Sequence, residues 1–290
     1  AIGLQAGQFG QGEQAVAIGA QAGQTGQASQ NIAIGLQAGQ LGQGFQGTAI
    51  GPQVGQINQG SYAVALGNQT AQFNQGMASV AVGGNAGQYE QGSYAVAVGP
   101  FSGFTGQSAY SIAIGAGAGQ YGQGSYAVAI GNSAGNQNQN LCAVAIGNSA
   151  GNQNQDGYAV AIGNSAGEYS QGFVAVAIGA QAGLTNQGTG GIAIGDNTAG
   201  IGQNYNGVAV GAYAGQTNQG SYSIAIGSFA GANVQGMHSI AIGATAGFVG
   251  QNQDSIAIGH RAGENDQGSQ NIAIGLQAGQ FGQGEQAVAI

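Results

Sequence analysis

Small and β-branched residues alternate along this chain in short runs such as Ala159-Val160-Ala161-Ile162, and each run is closed by a glycine, here Gly163. Alternation with a period of two marks a strand with two unlike faces. The run returns every sixteen residues without an insertion or a deletion. Counting Ala1 as position 1, eighteen successive units carry Ala at position 1, Gly at position 3 and Gln at position 11. Position 2 is always Ile, Val or Leu, and position 16 is Val or Ile everywhere except Thr48. Gly at position 3 ends the strand, Ala-Gly at positions 6 and 7 marks a second tight place, and a shorter strand is expected over positions 8 to 11. Gly or Asn near position 12 closes the loop. A helix is excluded, because glycine at this density costs about 1 kcal/mol per site relative to alanine.

A strict period means that each unit stacks on the last and that equivalent residues form rows. The expected fold is all-β, a parallel β-solenoid of eighteen sixteen-residue coils forming one continuous body over residues 1–290. At about 4.8 Å per coil it would be about 85 Å long. The Val and Ile rows at positions 16 and 2 are expected to turn inward as the core, with Ala at position 6 beside them. The opposite face, with small residues at positions 15, 1 and 3, is then expected to lie outside and to pack against another copy.

The glutamine row is the candidate structural site: Gln11, Gln27, Gln43, Gln59, Gln75, Gln91, Gln107, Gln123, Gln139, Gln155, Gln171, Gln187, Gln203, Gln219, Gln235, Gln251, Gln267 and Gln283. Stacked primary amides can each donate to the next, forming a ladder. Position 10, by contrast, holds Gly, Asn, Glu, Ser, Val and Asp, and reads as a place of free variation.

Composition narrows the function more than it names it. Only 3% of residues are charged, with one arginine, no lysine and nine acids for a net charge of −8. Nucleic acid is therefore a poor partner, since phosphate binding needs many cationic contacts. Gly, Gln and Asn in such abundance also fit a disordered low-complexity tract, but eighteen units in unbroken register argue against it. Cys142 is the single cysteine, so there is no disulfide framework. The apolar runs are too short to span a membrane as a helix.

Units such as Ser111-Ile112-Ala113-Ile114-Gly115-Ala116-Gly117-Ala118 and Ala127-Val128-Ala129-Ile130-Gly131-Asn132-Ser133-Ala134 resemble the head repeats of YadA-like trimeric autotransporter adhesins. Similar repeats occur in phage and viral fibre proteins. The resemblance implies a left-handed β-roll, with three chains side by side. The period here is longer than the usual head repeat, and the neck, stalk and anchor of that family are absent from these residues.

No catalytic constellation is present. His238 and His260 occupy different coil positions, and Asp156, Asp196, Asp254 and Asp266 are too few for a calcium-binding roll. No cofactor or metal is expected. His260, Arg261, Glu264 and Asp266 form one local cluster of ionisable residues, read as solvated decoration. Asn68-Gln69-Thr70 is a single glycosylation sequon. The expected function is that of a non-enzymatic extracellular structural protein, a self-associating fibre or adhesin shaft; the alternative is a surface-binding adhesin head. Ice binding fits less well, since Thr at position 9 occurs only at Thr25, Thr105, Thr185 and Thr217. Residues 273–290 repeat residues 1–18 letter for letter, so the native chain is expected to continue in both directions as longer tandem repeats.

Overall fold

Each sixteen-residue repeat winds once, and most contribute two three-residue strands, as in Val96–Val98 and Thr105–Gln107; at Phe9, Tyr89, Asn265 and Phe281 the second is reduced to a single bridge. The computed structural model describes residues 1–290 and contains strands and turns but no helix. The chain divides into two compact units, Ala1–Ala143 and Val144–Ile290. In the first unit, the strands at positions 16, 1 and 2 stack in parallel with a sixteen-residue offset, Val80 on Val96, Ile112 and Val128. The strands at positions 9 to 11 form a second parallel stack, Thr105 on Tyr121 and Gln137. The second unit repeats the plan, with Val144 on Val160 and Val176, and Gln153 on Tyr169 and Thr185. Each unit is a parallel β-solenoid of sixteen-residue coils.

The turns are tied from coil to coil as well as the strands. The Gly23 N–H donates to the Ala38 carbonyl at 2.9 Å, the Gln37 N–H to Ala20 at 2.9 Å and the Gln30 N–H to Glu13 at 2.8 Å. Backbone groups that a loop would leave to water are thus paired with the neighbouring coil. Pro52 and Pro100 stand at position 4, where each offers its carbonyl to the next coil, Pro52 to Gln69 and Pro100 to Gly117.

The faces of the first strand are opposite to the sequence expectation. The position-1 alanines, Ala97, Ala129 and Ala161 among them, are fully buried, as are Ala at position 6 and Ala or Ser at position 15. Val and Ile at positions 16 and 2 turn outward; Ile130 remains 36% exposed and Ile162 37%. The reason is space. Two sheets joined by turns of a few residues enclose a lumen that takes one large side chain per coil, and Gln at position 11 is that side chain. A β-branched pair from every strand would overfill it. The small-residue strip expected as an interface between copies is therefore interior.

Position 10 is also corrected. Every residue there has a positive φ, including Asn58 at 56°, Ser170 at 59°, Asn218 at 53° and Val234 at 56°. Asn, Asp and Gly tolerate this left-handed conformation, which explains their prevalence in the row. The row is conformationally selected rather than free, and β-branched Val234 is its most strained occupant.

Candidate functional site

The glutamine row runs along the lumen of each unit. From Gln27 to Gln267 these side chains are at most 3% exposed, while Gln11 and Gln283 are partly accessible. Each strand alternates, so position 11 points inward from the second sheet and reaches the first. In the first unit, Gln91 Nε2 donates to the Val80 carbonyl at 2.9 Å, the Ala95 carbonyl at 3.4 Å and Gln107 Oε1 at 3.2 Å. In the second, Gln187 Nε2 donates to Val176 at 2.8 Å, Gly191 at 3.1 Å and Gln203 Oε1 at 3.1 Å. The amide thus does two things. It bridges the two sheets of its own coil, and it links to the next glutamine.

The ladder has gaps. Gln43 gives its amide hydrogens to the Ile32 and Gly47 carbonyls, both at 3.0 Å, and Gln59 Oε1 is left buried without a donor. Gln251 does the same with Ile240 and Ser255, leaving Gln267 Oε1 bare. The bridge to the backbone is the constant element, and the amide-to-amide link is made where geometry allows. Gln123→Leu is expected to remove the tie from the second sheet to the Ile112 and Ala127 carbonyls and the acceptor of the Gln107 amide, although Ala127 keeps the Ile112 N–H and Gln107 keeps the Val96 carbonyl. The cost should be about 1–3 kcal/mol in all, read as a fall in thermal or denaturant midpoint. Gln137→Leu, on the exposed face of the second sheet, should change stability by less than about 0.5 kcal/mol.

Amide rows outside the lumen, at positions 5 and 8 among others, escaped the sequence reading. In the first unit, Gln37 donates to Gln21 at 2.8 Å and Gln53 to Gln37 at 3.2 Å along position 5, while Gln72 donates to Gln56 and Gln88 to Gln72, both at 2.8 Å, along position 8. Here the later residue donates to the earlier one, the reverse of the lumen. Their signal was the unbroken run of glutamine at both positions in the first five coils.

Four of the ionisable residues form two small pairs near the surface. Arg261 Nε lies 3.9 Å from Glu264 Oε1, and Gln280 Nε2 donates to Glu264 Oε2 at 2.6 Å. His260 and Asp266 are exposed, and neither joins this ion pair. Coil stacking instead pairs His238 Nδ1 with Asp254 Oδ1 at 3.3 Å, with Tyr222 tilted against the imidazole. That pairing was readable from their shared position 14 in successive coils. A hydrogen bond and the charge of Glu168 raise the Tyr169 phenol above its ordinary value. No three His, Cys, Asp or Glu side chains converge as metal ligands. No helix is long and apolar enough to cross a membrane. Asn68 is exposed, but Thr70 is buried and its hydroxyl donates to the Gly83 carbonyl, so the folded sequon is not presented as an extended segment.

The first sheet of each unit also presents an apolar outer face. Its exposed face is paved by the position-16 and position-2 residues, for example Val128 and Ile130 in the first unit and Val176 and Ile178 in the second. Contiguous apolar surfaces of this kind mark places where another surface docks. Compared with known protein families and with curated proteins, the chain matches none.

Proposed function

We propose that this chain is a non-enzymatic structural segment of an extracellular fibre or adhesin shaft, and that it self-associates through the Val and Ile face of the first sheet. The observation that carries the reading is the inverted packing. The core is made of alanine and glutamine, while the β-branched side chains that would ordinarily build one are left on a flat outer face. Three chains, each placing that face toward a common axis, are the first arrangement to test, in keeping with the resemblance to YadA-like heads. Turns tied coil to coil also support a role outside the cell, where broad-specificity proteases meet the chain.

The test alters the face and leaves the lumen alone. Ile146→Glu with Ile178→Glu, two outward residues on alternate coils, is expected to shift sedimentation from an oligomer to a monomer while the β-sheet circular dichroism signal persists. A native chain that is already monomeric, or an assembly indifferent to these changes, would falsify the interface. Electron microscopy separates the shaft from a surface-binding head: continuous filaments support the first, discrete particles the second.

A further inference from the structure

Position 14 is a left-handed turn residue, with φ of 61° at Tyr94 and Tyr110 and 59° at Tyr126, and its side chain projects away from the lumen. Three successive coils of the first unit place tyrosine there. The Tyr110 N–H donates to the Ser93 carbonyl at 3.0 Å and the Tyr126 N–H to Ala109 at 3.2 Å, which fixes the spacing of the turns. The rings stack face to face. Tyr94 and Tyr110 have centroids 5.0 Å apart at an interplanar angle of 6°, and Tyr110 and Tyr126 are 5.1 Å apart at 2°. All three are roughly half exposed, at 45%, 49% and 57%. Nothing in the core depends on them.

We propose that the Tyr94–Tyr110–Tyr126 row is a modification site for oxidative tyrosine coupling, with hydrogen peroxide activated by a haem peroxidase as the oxidant. Each of two neighbouring phenols gives up one electron and its hydroxyl proton, leaving a phenoxyl radical with spin density on the ring carbons beside the oxygen. Two such carbons join. The hydrogen displaced from each bonding carbon then moves to its own phenolic oxygen, restoring both hydroxyls. Two electrons and two protons leave the pair, and the peroxide takes them up to become two waters.

The row favours this step in three ways. In-register stacking sets equivalent ring carbons of adjacent tyrosines opposite one another, so that coupling becomes intramolecular and gains the advantage of a held encounter. Exposure admits the oxidant and leaves the rings room to pivot as the bond forms. The chain has no tryptophan to divert the oxidation. Other tyrosines lack this arrangement. Tyr62 meets Phe45 edge to face, and Tyr205 meets Tyr222 at 69°. The product would be a covalent tie between coils that owes nothing to the backbone ladder.

The experiment treats the dilute chain with horseradish peroxidase and hydrogen peroxide, in a Cys142→Ser background so that the thiol one coil beyond Tyr126 does not quench the radicals. The expected result is dityrosine fluorescence in a product of unchanged chain number, an intact mass lower by two hydrogens per link, and cross-linked peptides joining Tyr94 to Tyr110 or Tyr110 to Tyr126. Tyr110→Phe keeps the stacked ring but separates the remaining phenols by two coils, so coupling mapped to this row should fall by about tenfold or more. Tyr62→Phe should leave it unchanged. Cross-links found only between chains, or a yield at Tyr94 and Tyr126 that ignores Tyr110→Phe, would overturn the proposal.

Discussion

Ala161→Glu is expected to unfold the coils around it, whereas Ile162→Glu, one residue further on, should leave them folded. Ala161 is fully buried and paired in register with Ala145 and Ala177. Its Cβ faces the lumen, so close to the position-7 glycine that a methyl group added to Gly167 would come within 3.3 Å of it. A glutamate there overfills a packed space, at about 1–3 kcal/mol. It also carries a carboxylate into an interior with no cation, a further cost of several kcal/mol. Ile162 points the other way, to solvent or to a partner. Thermal unfolding followed by circular dichroism compares the two variants directly. Equal stability of the pair would mean that the faces have been assigned wrongly.

The second large effect is expected at Gly163. Its φ of 134° lies where residues with a Cβ are seldom found, and a Cβ added there falls 2.7 Å from the carbonyl carbon of Gly179 and closer still to its oxygen. Relief by separation is blocked, because the Gly163 N–H is bonded to Ile146 and the Gly179 N–H to Ile162, both at 2.8 Å. Gly163→Ala should therefore lose about 3 kcal/mol or more, combining backbone strain with a clash against neighbouring main chain. Gly84 is the control. It has no positive φ, and a Cβ added to it would meet nothing within 4 Å. Gly84→Ala should be neutral or stabilising by up to about 1 kcal/mol, through a less flexible unfolded chain. A melting temperature that drops for Gly84→Ala and holds for Gly163→Ala would contradict this assignment of strain.

The winding, the two strands of each coil and the buried glutamine row were all legible in the sequence, because a fixed period places equivalent residues above one another whatever the three-dimensional details. Strand limits differ by a residue: Val160–Ile162 and Tyr169–Gln171 are the strands, against the longer runs that the alternation marks. The direction of the faces was not legible. Alternation separates two faces but does not say which is inside, and the usual inference from hydrophobicity assumes a core wide enough for branched side chains. Here the lumen admits alanine and one extended amide. Position 10 misled for a related reason, since its variety of side chains hid a single backbone requirement. The outer glutamine rows and the His238–Asp254 pair needed only the step already taken for position 11, reading the chain down its columns.

The sixteen-residue offset has a consequence for how the chain finds its fold. Every coil meets a mate at the same short separation, so closure entropy is low and winding can begin anywhere. The same regularity makes a slip of one whole coil nearly invisible to the interior: alanine would again meet alanine, glycine would face glycine and glutamine would reach glutamine. What opposes the slip must lie in the positions that vary. Asn31, buried at position 15, accepts from the Gly47 N–H at 2.7 Å and donates to the Gln43 carbonyl at 3.1 Å, an arrangement repeated only at Asn271, with the Ala287 N–H and the Gln283 carbonyl. Stacked rings such as Phe73 on Tyr89, or Tyr213 on Phe229, label others. The invariant residues set the pitch, and the irregular ones supply the address.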